Sequence, residues 1–151
     1  QALSAPADVL VVSRDESALE QARKGGAMAL RESCAGHNPA LAQALLVLDR
    51  SRRAPVLIVS SDLPWLSVQD LEAMLSPGGA VRIATDLAQR GTNALYLTQP
   101  TSLPLHFGED SRAAHQAAAT QAGLDCEIVL RPGLARDIDT PQDLDILLHK
   151  A

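Results

Sequence analysis

Aromatic residues are nearly absent from this chain, with one Trp, one Tyr and one Phe in 151 residues. That argues against a surface that stacks successive bases of single-stranded nucleic acid. Basic runs are missing too. No more than two cations stand together and the net charge is −5, which argues against broad phosphate-backbone binding. A few well-placed cations would still suffice for one small nucleotide. No apolar run approaches the roughly 20 residues that span a bilayer, so no membrane association is expected. The two cysteines, Cys34 and Cys126, lack CxxC spacing. A zinc site is therefore not expected, and two reduced thiols in a cytoplasmic protein are. Residues 1–6 have neither the basic nor the apolar region of a signal peptide. Walker A and GxGxxG sequences are both missing, so a P-loop NTPase or a Rossmann dehydrogenase has no support. The His residues form no i, i+4 metal pair, and no Ser/His/Asp triad follows from spacing.

What is present is aliphatic. Hydrophobic residues make up 46% of the chain and charged ones 21%, which suits one globular domain cored by Ala, Leu, Val and Ile. Short apolar runs alternate with amphipathic stretches. Strands are predicted at residues 8–13, 27–32, 55–60, 80–84, 94–98 and 126–130. Helices are predicted after the Asp15 cap up to Gly25-Gly26, and over 38–51, 68–75, 111–122 and 141–149. Ser67 and Thr140 serve as N-caps. Strands separated by helices of this length imply a mainly parallel, mixed sheet covered on both faces. Ligands in such sheets bind beyond the carboxyl ends of the strands.

Five places there could carry chemistry, and each has an ordinary structural explanation beside the functional one. Ser60-Ser61-Asp62-Leu63-Pro64 follows the strongest strand. A carboxylate at that rim suits a hard cation such as Mg²⁺, although Asp and Pro are also common turn residues. Gly91-Thr92-Asn93 offers close backbone approach and short polar groups, or simply a capped loop. Phe107-Gly108-Glu109-Asp110-Ser111 opens a helix, whose N-terminus favours anions. Ordinary capping by Asp110 or Ser111 is the alternative, and the two acids would repel an anion unless they point away. His115, one turn on, either faces the same site or is merely packed or exposed. Asp137-Ile138-Asp139-Thr140-Pro141 puts two carboxylates on one side of an extended segment. One of them could join Asp62 on a metal, or cap the helix. Gly36-His37-Asn38 is a turn before a helix, with nucleotide binding as its functional reading.

In this order the motifs resemble the 2-phospholactate/phosphoenolpyruvate guanylyltransferase family of coenzyme F420 biosynthesis. The match runs over nearly the whole chain, and Gly91-Thr-Asn-Ala-Leu95 and Asp137-Ile-Asp-Thr-Pro141 are its most specific blocks. The resemblance implies a three-layer α/β/α nucleotidyltransferase fold related to the molybdenum-cofactor guanylyltransferases. It implies GMP transfer from GTP to a phosphorylated three-carbon acid (2-phospholactate, phosphoenolpyruvate or 3-phosphoglycerate), with release of pyrophosphate. It implies Mg²⁺ on Asp62 and on Asp137 or Asp139, with Asp62 and Asp139 as catalytic residues. Thr92, Asn93, Gly108 and Ser111 become the candidates for the acceptor, and Gly36, Asn38, Ser61 and Pro64 those for the nucleotide. A second copy of the chain is a candidate partner. The family pattern starts with a strand and a basic triphosphate-binding loop, and neither precedes residue 8. Residues 1–151 are therefore expected to be a single nucleotidyltransferase domain without its first strand and loop. Two other readings compete: a molybdopterin or sugar-phosphate nucleotidyltransferase, and a degenerate nucleotide-binding domain without catalysis.

Overall fold

The computed structural model describes residues 8–52, 54–138 and 140–149. Strands and helices come in the order the sequence predicts, each ending within a residue or two of its expected bounds. They are β1 (Leu10–Ser13), α1 (Glu16–Lys24), β2 (Met28–Arg31), α2 (His37–Arg52), β3 (Val56–Val59) and α3 (Val68–Leu75). Then follow β4 (Val81–Ala84), β5 (Ala94–Leu97), α4 (Ser111–Gln121), β6 (Cys126–Val129) and α5 (Pro141–His149).

Local chemistry sets the helix ends. The Asp15 carboxylate accepts from Ser17 N at 2.9 Å and starts α1. Ser67 and Asp70 form a reciprocal capping box on α3, and Thr140 and Asp143 make the equivalent pair on α5. Each such cap satisfies amide groups that the helix itself leaves open. The C-terminus of α3 is closed from the sheet: Arg82 Nη1 donates to Met74 O at 2.6 Å, and its guanidinium lies 4.6 Å over the Tyr96 ring.

Among the described residues the strands form two sheets. One pairs β1 with β2 in parallel; the other has the order β3-β5-β4-β6. Within the larger sheet β4 and β6 are parallel, while β5 runs antiparallel to both β3 and β4. The reversal of β5 matters for the site. Val59 at the end of β3, Ala84 at the end of β4 and Val129 at the end of β6 share one edge of the sheet with Ala94, the first residue of β5. Three segments thus meet at that edge: the one after β3, the loop between β4 and β5, and the one after β6.

Strand alternation sorts the core into two faces. Leu95 and Leu97 of β5, with Val81 and Ile83 of β4, pack with Leu45 of α2 and with Ala118 and Ala119 of α4. Ala94, Tyr96 and Ala84 point the other way, with Leu63, Leu134 and Met74 of α3. Helices therefore cover both faces, the three-layer arrangement the sequence implies. All four residues of β4 and of β5 are buried, and each fully buried Leu or Ile contributes about 1.5–3 kcal/mol. Both cysteines are free thiols.

Candidate active site

The loop between β4 and β5 is built around Asp86. Its carboxylate accepts from Arg90 N at 2.8 Å and Gly91 N at 3.0 Å, and the Thr85 hydroxyl donates to Gly91 O at 2.9 Å. These bonds deliver Thr92 and Asn93 to the sheet edge, where both are buried. Asn93 then ties three segments together. Its amide donates to Ala84 O and its carbonyl accepts from Ser60 N, each at 2.9 Å. Its side-chain Nδ2 donates to Leu134 O, also at 2.9 Å.

The segment after β6 is fixed from a second side. Arg131 Nε donates to Asp70 Oδ1 at 2.8 Å, with Asp70 buried. Burial pushes the Asp70 carboxyl up, but the Ser67 hydroxyl and the Arg131 guanidinium outweigh it and hold the group below its ordinary value. Gly133 passes so close to this pair that a Cβ there would collide with the Asp70 carboxylate and lie 2.5 Å from Trp65 O. Ile138 N then donates to Asp62 O at 3.0 Å. This bond sets the Asp137 segment beside the exposed Asp62, which follows Ser61 and precedes buried Leu63 and exposed Pro64. Asp137 is half-buried; Asp139 lies outside the described residues. A groove of about 520 Å³ opens nearby, among Trp65, Asp70, Arg131 and Arg136. Thr92, Gly108 and Ser111 take no part in its lining.

The third group of candidates sits before α4. Asn38 clips it with both ends of its amide: Phe107 N donates to Oδ1 at 2.8 Å, and Nδ2 donates to Phe107 O at 2.9 Å. The nucleotide candidate Asn38 is thus committed to holding the Phe107-Gly108 turn. Gly36 turns the chain just ahead of α2. Gly108 has φ +133°, a backbone state that glycine adopts without strain. Ser111, the first residue of α4, is 1% exposed.

The ordinary capping explanation for Asp110 fails. It occupies the N-cap position with φ 52° and makes no side-chain cap bond. Instead Arg90 draws both acids to itself, with Nε on Asp110 at 2.7 Å and Nη2 on Glu109 at 3.2 Å. The Arg90 hydrogen bond holds the Asp110 carboxyl below its usual range. One cation against two exposed carboxylates thus offsets about half of the repulsion expected at this helix start. Arg90 also accepts from Arg112 N through its carbonyl at 3.0 Å, tying the Thr92 loop to α4. Sequence reading passed over Arg90 and Asp86. The one available signal was a lone cation in a polar loop, to be matched with an acidic pair about 20 residues on.

His115 is wholly buried and joins the two loops. Its Nδ1 lies 3.0 Å from Thr92 Oγ1, and its Nε2 accepts from His106 N at 2.9 Å. Phe107 packs edge-on against it at 5.0 Å, and His37 against Phe107 at 5.4 Å. Of the sequence-based options, exposure is ruled out: His115 is packed, and it lies against the Thr92 loop.

All five motifs are therefore linked by hydrogen bonds or ring contacts around one sheet edge. Among the described residues no three His, Cys, Asp or Glu side chains cluster as a ready-made metal cage. A Mg²⁺ site needs only one or two carboxylates, because waters and substrate phosphates complete it. Asp62, exposed beside the Asp137 segment, is of the donor type such an ion takes and could hold one.

The family model described as guanylyl transferase CofC like matches residues 1–151. This chain belongs to that family. A phosphoenolpyruvate guanylyltransferase of Rubrobacter xylanophilus is 38% identical over 139 residues, covering 90% of this chain and 68% of the relative. One from Sphaerobacter thermophilus is 38% identical over 145 residues, covering 95% and 70%. A 3-phospho-D-glycerate guanylyltransferase of Colwellia psychrerythraea is 33% identical over 144 residues, covering 92% and 67%. Among solved structures, a Desulfovibrio desulfuricans G20 protein assigned to the nucleotide-diphospho-sugar transferases superposes with a TM-score of 0.71. It is 14% identical, and the match covers 97% of this chain and 68% of that one. The molybdopterin-guanine dinucleotide biosynthesis protein A of Archaeoglobus fulgidus superposes with a TM-score of 0.56 at 15% identity, covering 94% and 79%. These two carry the fold alone. The CofC-like family makes the chain a guanylyltransferase, and hence a nucleotidyltransferase. No helix among the described residues is long and apolar enough to cross a membrane.

Proposed function

We propose that the chain moves GMP from GTP to the phosphate of a small three-carbon phosphoacid, in coenzyme F420 biosynthesis. A phosphate oxygen of the acceptor attacks the α-phosphorus of GTP. The bond from that phosphorus to the bridging oxygen breaks, and pyrophosphate leaves with the electron pair. The nucleophile is already an anion, so no strong general base is required. Catalysis is then alignment and charge neutralisation. Asp62, with Asp137 or Asp139, would hold Mg²⁺, whose charge offsets that of the triphosphate. Thr92, Asn93, Gly108 and Ser111 receive the acceptor, with Asn93 acting through the segments it ties. Gly36, Ser61 and Pro64 shape the nucleotide side, whereas Asn38, first a nucleotide candidate, serves the acceptor side through its clip on Phe107.

The observation that carries this reading is the junction of the Asp62 and Asp137 segments, tied through Asn93 to the loop that bears Thr92. It sets hard carboxylates on the same sheet edge as neutral hydrogen-bonding groups, which suits two phosphorylated substrates. Relatives named for phosphoenolpyruvate and for 3-phospho-D-glycerate support a three-carbon phosphoacid as acceptor. The test is pyrophosphate release from GTP and Mg²⁺ with phosphoenolpyruvate, 2-phospholactate or 3-phosphoglycerate, with the product identified by mass. A guanosine diphosphate linked to one of these acids is expected. Turnover only with a sugar phosphate or a molybdopterin would overturn the acceptor assignment.

A further inference from the structure

His115 is fixed in one tautomer by a donor that has no alternative. The His106 main-chain N–H can only donate, and it points at Nε2 from 2.9 Å. Nε2 must therefore be bare, and in the neutral ring the proton lies on Nδ1. The Thr92 hydroxyl lies 3.0 Å from Nδ1, and the Ser111 backbone also hydrogen-bonds to the ring. With a proton already on Nδ1, the hydroxyl oxygen must accept its bond with that nitrogen. Its own hydrogen is then left to donate elsewhere.

We infer that His115 is a positioning residue that holds the Thr92 hydroxyl as a hydrogen-bond donor toward the anionic phosphoacid. This inference rests on the acceptor role proposed for Thr92. A threonine hydroxyl can present either a proton or a lone pair, whereas phosphate and carboxylate oxygens are acceptors only. A hydroxyl free to rotate would present lone pairs to the anion part of the time. One that already accepts from His115 is pre-organised as a donor, which lowers the cost of ordering it on binding.

The surroundings keep the relay intact. His115 has no exposed surface, so water does not compete for either nitrogen. Phe107 covers one side of the ring, and the Asn38 clip holds Phe107 in place. Burial, aided by the neighbouring His106, lowers the imidazole pKa to about 4. The ring is then neutral under ordinary conditions, and an imidazolium, which would turn Nε2 into a donor facing the His106 N–H, is avoided.

Two measurements on the full chain test the inference. Long-range ¹⁵N–¹H correlation of the imidazole should show a protonated Nδ1 and a bare Nε2; a protonated Nε2 would overturn it. His115→Gln can keep a group near Nε2 but withdraws the one beside Thr92, whereas His115→Asn can keep the group beside Thr92. We expect H115Q to raise the KM for phosphoenolpyruvate about tenfold, with the KM for GTP unchanged, the size of one lost hydrogen bond to a charged partner. H115N should recover most of that loss. A rise in both KM values together, or H115N failing as badly as H115Q, would mean a structural role only and would sink the relay. If the chain turns over no phosphoacid, calorimetric binding of phosphoenolpyruvate separates the two claims. Binding weakened by H115Q but not by H115N upholds the relay and defeats the transfer reaction alone. No binding, or binding indifferent to residue 115, overturns the relay itself.

Discussion

Ile138 N donates to the carbonyl of Asp62 at 3.0 Å, so two segments 76 positions apart run side by side at the sheet edge. That single bond joins the end of β3 to the approach of α5. It relates the two carboxylate-bearing motifs that local sequence could only name separately. Asn93 holds the same junction from the other side through Ser60 and Leu134.

The clip between Asn38 and Phe107 gives the first prediction. Asn38→Ala removes both hydrogen bonds and leaves a half-buried amide and carbonyl of Phe107 without partners. Removing one member of such a pair costs about 1–3 kcal/mol. Urea denaturation should show a loss of that order. The KM for the phosphoacid should rise as well, because the clip positions Gly108 and Ser111.

Gly133 gives the second. Gly133→Ala would drive a methyl group into the Asp70 carboxylate and the Trp65 carbonyl. Overpacking of this kind costs about 1–3 kcal/mol, and here it also strains the Asp70–Arg131 ion pair. A lowered denaturation midpoint with an unchanged m-value is expected, whereas a variant as stable as the parent would show that this close approach relaxes freely.

Much of this was legible in the sequence, and the reasons differ by level. The strands and helices were readable because apolar runs, caps and glycines act locally, as at Ser67, Thr140 and Gly25. The three layers followed from alternation. The antiparallel course of β5 was not readable, because the segment Ala94–Leu97 is apolar on both faces and its pattern carries no direction. Nor was the pairing of Arg90 with Glu109 and Asp110, or the tautomer of His115. These depend on contacts between loops whose separation in sequence has no period. Asn38 shows the limit most clearly. Its motif was recognisable, but its two amide atoms serve Phe107, 69 positions away.

His115 gives a third prediction, in pH. Unfolded, the imidazole takes its proton near 6.5; folded, not until about 4, because it is buried and lies against His106. Above pH 6.5 neither state is protonated and the group costs nothing. Between 6.5 and 4 the unfolded chain alone gains the proton, so stability falls with pH and levels off below 4. The loss at this one site is about 3 kcal/mol at most. The groups around the ring are Thr92, His106, Phe107 and the Ser111 backbone, whose hydrogen bond opposes part of the depression, with no carboxylate among these contacts. Carboxylates elsewhere titrate in the same window, so the quantity to measure is the difference between parent and His115→Asn. That difference should shrink steadily from pH 7 to pH 4, and a constant difference would refute the burial argument.

Ligand linkage gives a fourth. A nucleotide that binds only the native state must stabilise it. GTP with Mg²⁺ should therefore raise the melting temperature, and more so with phosphoenolpyruvate added. No shift with either would favour a degenerate domain over an enzyme.

The central claim is that Asp62 holds the ion on which transfer depends, and Asp62→Asn tests it most directly. Asp62 is exposed and its carbonyl, not its side chain, makes the bond to Ile138. The variant should keep the parent's unfolding midpoint and lose activity by on the order of a hundredfold or more. Guanylyl transfer, assayed across a Mg²⁺ series, should stay low at every concentration or recover only at high Mg²⁺. A folded Asp62→Asn that transfers GMP at the parent's rate and with the parent's Mg²⁺ dependence would contradict the account.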